Sequence, residues 1–276
     1  MPRSPKGYDY PLARSLLAHP MAPFSPGACT ALSSHRSICS AYSQSHEELA
    51  VVEQFFADRE EGIFVEMGAL DGVALSNTLA LERSNLSWGG VLIEANPAMC
   101  SLLRMQRARR ATTLCAGVSP NFSTVLFERG RYTATFAASD VVSEARSSQA
   151  SGLNPSLVQR RGAPVAVPSA PLGFLLRSVG IAFVDFFSLD VEGSEARVLA
   201  TMDWSIPVRV WCIEWDSAVA PASTNRSIEA IMTRNGYERT AWAHEADAAR
   251  ALRQNQLWVR RGPWEPAKYR WRPWTQ

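Results

Sequence analysis

Phe64-Val65-Glu66-Met67-Gly68-Ala69-Leu70-Asp71-Gly72 is the stretch whose reading decides the fold. An apolar run opened by Gly62 and Ile63 ends in an acid, then in a loop holding two glycines and an aspartate. A short continuous apolar run bounded by turn residues fits a strand buried on both faces. Glycines directly after it let the backbone turn sharply and let a ligand come close. The segment lacks the full G-x-G-x-x-G spacing that packs a pyrophosphate against a helix start.

Outward from this stretch, strands and helices alternate. Upstream, His46 to Arg59 reads as an amphipathic helix, with Leu49, Val52, Phe55 and Phe56 near helical spacing. Downstream, Ser76 to Arg83 reads as a short helix that Ser76 can cap. Gly90 to Glu94 is a second strand, and Asn96-Pro97 opens a helix with Pro97 at its first turn. Thr112 to Val118 is the third strand. Ser119 to about Pro171 is rich in Ser, Gly, Pro and Arg and reads as loops and an insertion. Leu172 to Val179 is helical and stopped by Gly180. Ile181 to Asp190 is the fourth strand, Ser194 to Met202 a helix, Val208 to Glu214 the fifth strand, and Ser227 to Asn235 a helix closed by Gly236. Tyr237 to Ala243 and Gln256 to Arg260 complete the sheet as an antiparallel pair. The rhythm predicts a Rossmann-like α/β fold: a doubly wound, mostly parallel seven-stranded sheet with helices on both faces.

Ligands of open α/β sheets sit beyond the carboxyl ends of the strands. Four of the expected strands end in or beside an acid: Glu66, Glu94, Asp190 and Glu214. Like charges make such a crevice unsuitable for phosphate. It suits a cationic ligand whose ribose hydroxyls are free, since carboxylates accept hydrogen bonds from ammonium and hydroxyl groups. Glu94, 28 residues after Glu66, stands where an acid would hold both ribose hydroxyls.

Composition restricts the alternatives. The chain has 276 residues, 46% hydrophobic and 20% charged, enough for one sizeable core. A formal net charge of +2 gives no reason to expect nucleic acid as an obligatory partner. The cysteines, Cys29, Cys39, Cys100, Cys115 and Cys212, include no C-x-x-C pair and are odd in number. That argues against a disulfide scaffold and a structural zinc site, and Cys115 and Cys212 read as small buried hydrophobes. No apolar run is long enough for a membrane span. Up to Ser45 the only acid is Asp9, so residues 1–41 read either as an organellar transit-like segment or as a Pro/Ser-rich tail, leaving a cytoplasmic or organellar location open. Residues 262–276 form a Trp/Arg-rich tail (Trp264, Trp271 and Trp274) that packs on the domain or stacks on a ligand.

A family resemblance joins these pieces. Phe64 to Gly72, then Ser76-Asn77-Thr78, then Gly90-Val91-Leu92-Ile93-Glu94-Ala95-Asn96-Pro97, and finally Phe186-Phe187-Ser188-Leu189-Asp190-Val191-Glu192-Gly193-Ser194-Glu195 resemble, in order, the motifs of FkbM-type methyltransferases. Tyr42-Ser43-Gln44 with Glu47 and Glu48 resembles the family's lead-in. The resemblance covers roughly residues 42–261, the expected domain, with the insertion at about 119–171 matching nothing in the family. Met67 and Leu70 stand where Ile and Asn are more usual.

The resemblance implies S-adenosylmethionine as cofactor and O-methylation of a hydroxyl on a sugar, glycan or other small metabolite. It implies that Glu66, Gly68 and Ala69 line the methionine end, and that Asp71 and Asn77 support that loop or touch the cofactor. Glu94 then holds the ribose, Ala95 and Asn96 lie beside the adenine, and Ala116 and Gly117 pack at its edge. Asp190 and Glu192 face the methyl group and the acceptor. Because a hydroxyl nucleophile must lose its proton, Asp190 is the first candidate base, Glu192 the second, and His46 a distant third. Glu192 can equally cap the next helix, Glu195 suits a first helical turn, and Glu214 binds the acceptor or pairs with Arg209. No metal is assigned, although Asp190 with Glu214 or Asp216 has ligand chemistry. Two other functions compete: a nicotinamide-dependent oxidoreductase, and a non-catalytic module that binds the cofactor without turnover.

Overall fold

The computed structural model describes residues 42–44, 46–57, 59–84, 86–107, 111–127, 136–137, 165–215, 222–242 and 255–263. The 1–41 segment, Asp216, His244 and the tail tryptophans lie outside them. In chain order the first elements are α1 (Glu47–Val51), which runs into a π-helical turn at Val52–Phe56, then β1 (Ile63–Met67), α2 (Leu79–Arg83), β2 (Gly89–Glu94), α3 (Pro97–Gln106) and β3 (Ala111–Cys115). Three short strands follow, β4 (Gly117–Val118), β5 (Ser123–Phe127) and β6 (Phe136–Ala137), and then β7 (Val165–Ala170). The rest comprises α4 (Leu172–Ser178), β8 (Val184–Leu189), α5 (Glu195–Leu199), β9 (Val208–Glu214), α6 (Ala222–Arg234), β10 (Tyr237–Thr240) and β11 (Asn255–Arg260).

The main sheet has seven strands in the order β3-β2-β1-β8-β9-β11-β10. Every pair from β3 to β9 is parallel, while β11 runs antiparallel to both its neighbours. The chain winds outward from β1 to β3, then returns to place β8 on the other side of β1. The switch point therefore lies between β1 and β8, where Glu66 faces Ser188 in register. The expected fold is the observed one.

Strand alternation divides the core in two. Ile63, Val65 and Met67 face a cluster with Phe187, Leu189, Trp211 and residues of α4, α5 and α6. Phe64, Leu92, Phe186 and Val210 face α1, α2 and α3 through Leu49, Leu81, Cys100 and Leu103. Nearly every strand position is buried, which is why these strands read as continuous apolar runs.

Local signals fare unevenly. Val208 to Glu214 is a strand over the expected residues, and Gly180 and Gly236 end their helices at positive φ. Asn96 caps α3, accepting from Ala98 N–H at 3.0 Å, with Pro97 following. Ser76 Oγ accepts from Leu79 N–H at 3.0 Å, so it serves the start of α2 from two residues before Thr78.

Three expectations need correction. The helix expected over His46–Arg59 breaks after the π-helical turn, at Ala57 with φ 41°. The third strand divides at Ala116: residues 111–115 join the main sheet, and 117–118 pair with β7 in a second, four-stranded sheet, β4-β7-β5-β6. The insertion thus contributes strands of its own, and Pro168 in β7 stands opposite Thr124. Finally, Cys100 and Cys115 form a disulfide joining α3 to β3, with Cα atoms 5.6 Å apart, whereas Cys212 is free and buried. The small-buried-hydrophobe reading therefore holds for Cys212, while Cys115 is half-buried and paired, a pairing that depends on how helix and strand pack. Among the described residues no helix is long and apolar enough to cross a membrane.

Candidate functional site

The loop after β1 is built on Glu66. Its carboxylate is buried and accepts from Asn77 N–H at 2.7 Å, Ser76 Oγ at 2.9 Å and Thr78 Oγ1 at 2.5 Å. Burial pushes its pKa up, and the nearby Arg107 charge and these hydrogen bonds oppose the shift. Glu66 thus ties the end of β1 to the start of α2. The expectation that it lines the methionine end directly gives way to a bracing geometry. Asp71 makes a tight turn, its Oδ1 accepting from Val73 and Ala74 N–H at 2.9 and 2.8 Å. Asn77 donates to Ser188 Oγ on β8 at 2.8 Å, so the loop is pinned across the switch point.

Gly68 is required by close approach. It has φ +86°, and a Cβ there would lie 1.8 Å from the Asp190 carbonyl oxygen. Only glycine lets the ends of β1 and β8 come this near. Ala69 beside it is buried.

Glu94, at the end of β2, turns toward the same loop. Leu70 N–H donates to Oε2 at 2.8 Å and Asn96 N–H to Oε1 at 2.6 Å. Ala95 N–H adds a third backbone donor to the carboxylate. Burial pushes its pKa up to about 7; the backbone donors oppose the shift, and the charge of Asp190 adds to it. That interaction puts Glu94 and Asp190 in one electrostatic neighbourhood.

Asp190 follows β8 and hydrogen-bonds Glu214 at the end of β9. Burial raises both carboxyls. Glu214 is pushed up to about 12, by burial first and then by the charge of Asp190, so the pair holds a proton between them. The expected alternative pairing of Glu214 with Arg209 does not occur: Arg209 stacks over the Phe56 ring, 5.0 Å from its centroid, near the other end of β9.

Glu192, exposed at φ 55°, completes a group with Asp190 and Glu214 whose carboxylate oxygens lie within 4.8 Å of one another. Such a set could hold an oxygen-seeking cation, though clusters of this kind are common without one. The turn before α5 belongs to Glu195, whose Oε1 accepts from Val191 and Gly193 N–H at 3.1 and 3.0 Å. Glu195 is therefore the residue that ties down this turn, and burial lifts its pKa to about 7.

The remaining predicted residues fall around the same edge. Ala95 and Asn96 are half-buried after β2, and Ala116 N–H donates to the Glu94 carbonyl at 3.1 Å. Ala116 and Gly117 mark the crossing between the two sheets. His46 precedes α1 in a left-handed conformation. Sequence reasoning missed Arg107 entirely. It is fully buried, donating to Glu82, Gly72, Ser76 and Thr78. It stands in the middle of the arginine-rich run RMQRARR, residues 104–110, which reads as a solvated surface.

A switch point flanked by carboxylates, with a glycine turn and no pyrophosphate fingerprint, defines the α/β class of methyl-transferring enzymes. The model of the methyltransferase FkbM domain family matches residues 66–239, and the chain belongs to that family. Membership of a methyltransferase family argues against the nicotinamide-dependent oxidoreductase alternative. No curated protein matches the chain. Among solved structures, it is similar to a Methanococcus jannaschii fibrillarin pre-rRNA processing protein at 10% identity, covering 78% of this chain and 74% of that one, with a TM-score of 0.44. An Aeropyrum pernix fibrillarin with natively bound S-adenosyl-L-methionine is 10% identical over 76% and 71% of the two chains, TM-score 0.38. The precorrin-6y C5,15-methyltransferase of Geobacter metallireducens is 10% identical over 71% and 73%, TM-score 0.39.

Proposed function

We propose that this methyltransferase O-methylates a hydroxyl of a sugar, glycan or other small metabolite, with Asp190 as the base. The observation that carries the reading is the meeting of Glu94, Asp190 and Glu214 at the carboxyl ends of β2, β8 and β9, beside the loop that Glu66 braces.

S-adenosylmethionine, when bound, supplies a methyl carbon already activated by its sulfonium. The protein's task is then position, desolvation and one proton. Glu94 accepts from the ribose hydroxyls. The backbone of Gly68 and Ala69 borders the methionine end, and Ala95, Asn96, Ala116 and Gly117 border the adenine. Asp190 accepts the acceptor's proton as the new O–C bond forms. Burial raises its pKa, which suits it to that work. Glu192, exposed beside them, contacts the acceptor.

The deciding experiment incubates the protein with methyl-labelled S-adenosylmethionine and a fractionated cell extract. An alkali-stable methyl ether on a small hydroxylated product is expected. Label found on nitrogen, or cofactor binding with no transfer to any fraction, would reject the assignment.

A further inference from the structure

We infer that Arg107 is a positioning residue for the cofactor: it sets donor affinity through a hydroxyl relay to Glu66. The inference rests on the reading that the donor lies between the 68–72 loop and Glu94. Arg107 sits just past α3, outside the segments that carry the family resemblance but in contact with two of them.

The relay has a direction. Nη1 donates to Ser76 Oγ at 3.1 Å and Nη2 to Thr78 Oγ1 at 3.1 Å. Each hydroxyl, having accepted from the guanidinium, donates its own proton to Glu66 Oε2, at 2.9 and 2.5 Å. The cation therefore orients two hydroxyls toward a carboxylate 3.8 Å from its own Nη1. Nη1 also donates to the Gly72 carbonyl at 2.8 Å, holding the far end of the loop. Packing fixes the same contact: a Cβ at Gly72, where φ is +83°, would strike Leu103 Cδ1 at 2.4 Å and Arg107 Cγ at 2.7 Å. Nε is taken by Glu82 at 2.7 Å, and the guanidinium lies 5.7 Å from the centre of the Phe64 ring. Only a planar fork with several donors satisfies Glu82, Gly72, Ser76 and Thr78 at once, so lysine is no substitute.

The loop so held carries Leu70, at φ 48°, whose N–H orients Glu94. Arg107 thus reaches the ribose acid without touching it. Fixing the loop before the donor arrives removes an ordering cost from binding.

Thr78 makes the test clean, because volume and hydroxyl can be changed separately. Thr78→Val keeps the buried volume and removes the shorter arm of the relay, leaving the Ser76 arm. Thr78→Ser keeps the relay and removes a buried methyl. S-adenosylhomocysteine affinity is read by calorimetry and stability by thermal melting, with Arg107→Lys and Glu94→Ala alongside. We expect Thr78→Val and Arg107→Lys to weaken affinity roughly tenfold, the loss of one charge-linked hydrogen bond. Thr78→Ser should bind as the wild type while melting lower. If Arg107→Lys does not fold, the Thr78 pair decides alone. Thr78→Val binding within twofold of wild type while Glu94→Ala binds weakly would overturn the relay and leave the site standing. Thr78→Ser weakening affinity as much as Thr78→Val would also overturn it, since packing alone would explain both. Unchanged affinity in Glu94→Ala would overturn the site reading and the relay together.

Discussion

The two ends of the central sheet handle buried charge in opposite ways. At the amino end, Asp185 on β8 is fully buried and answered by a cation: Arg59 Nε lies 2.8 Å from Oδ1, and its Nη2 donates to Oδ2 at 2.9 Å. Ile63 N–H also donates to Oδ2, tying β1 to β8. At the carboxyl end, Glu94, Asp190, Glu195 and Glu214 have no ion-pair partner among the described residues, and burial raises the pKa of each. Glu66, answered by Arg107 at the edge of that region, is the exception. A fold selected for stability alone would compensate both ends. The uncompensated end carries a cost that a cationic ligand offsets on binding.

The contrast breaks most sharply in turnover. Asp190→Asn removes the proposed base while keeping its shape, and general-base catalysis contributes typically 10²–10⁴-fold. Methyl transfer should fall by at least ~100-fold, with S-adenosylhomocysteine affinity changed less than about threefold. A variant as active as wild type would take Asp190 out of the chemistry. Asp185→Asn should do the reverse. Leaving Arg59 without its anion should cost about 3 kcal/mol in denaturant melts, while cofactor affinity stays put. Weakened binding in that variant would show that the two ends are coupled.

Reduction of Cys100–Cys115 tests the one covalent tie at the carboxyl end. The bridge closes a 15-residue separation between α3, which follows Glu94, and β3, whose Cys115 pairs in register with Glu94. Loops of that length are worth about 3 kcal/mol. A Cys115→Ser variant should melt several degrees lower. An unchanged melting temperature would mean that packing around α3 suffices without the bridge.

What was legible in the sequence follows the same division. Strand positions, their parallel sense and the closing antiparallel pair were readable because burial on both faces leaves an apolar run that only a covered sheet explains. The strand-end acids were readable too, since each follows such a run. Partner choice was not. Glu192 and Glu195 lie three residues apart, and only the backbone of the 191–193 turn decides which one ties it down. In the sequence Arg107 looks like its neighbours in a basic run until α3 ends against the 72–78 loop. The second sheet stayed hidden because its strands are short and one carries a proline, so no alternation develops.

The smallest expected effect sharpens the comparison through pH. Glu94 has a folded pKa near 7 against 4.5 for an unperturbed group, so the empty folded protein binds its proton more tightly than the unfolded chain does. The sign follows: stability from this group is complete below about pH 4.5 and is lost as pH rises through 7, by about 3 kcal/mol at most. Glu195 adds in the same direction over the same window. Donor binding runs the other way, because a protonated Glu94 offers fewer lone pairs to the ribose. Affinity for S-adenosylhomocysteine should rise from pH 5.5 to 7.5 while the melting temperature of the empty protein falls. Glu94→Gln should flatten the affinity trend and reduce the slope of the stability trend, with Glu195 supplying the remainder. If affinity and stability instead rose together with pH, the Glu94 carboxylate would be compensated in the empty protein, and the asymmetry between the two ends would vanish.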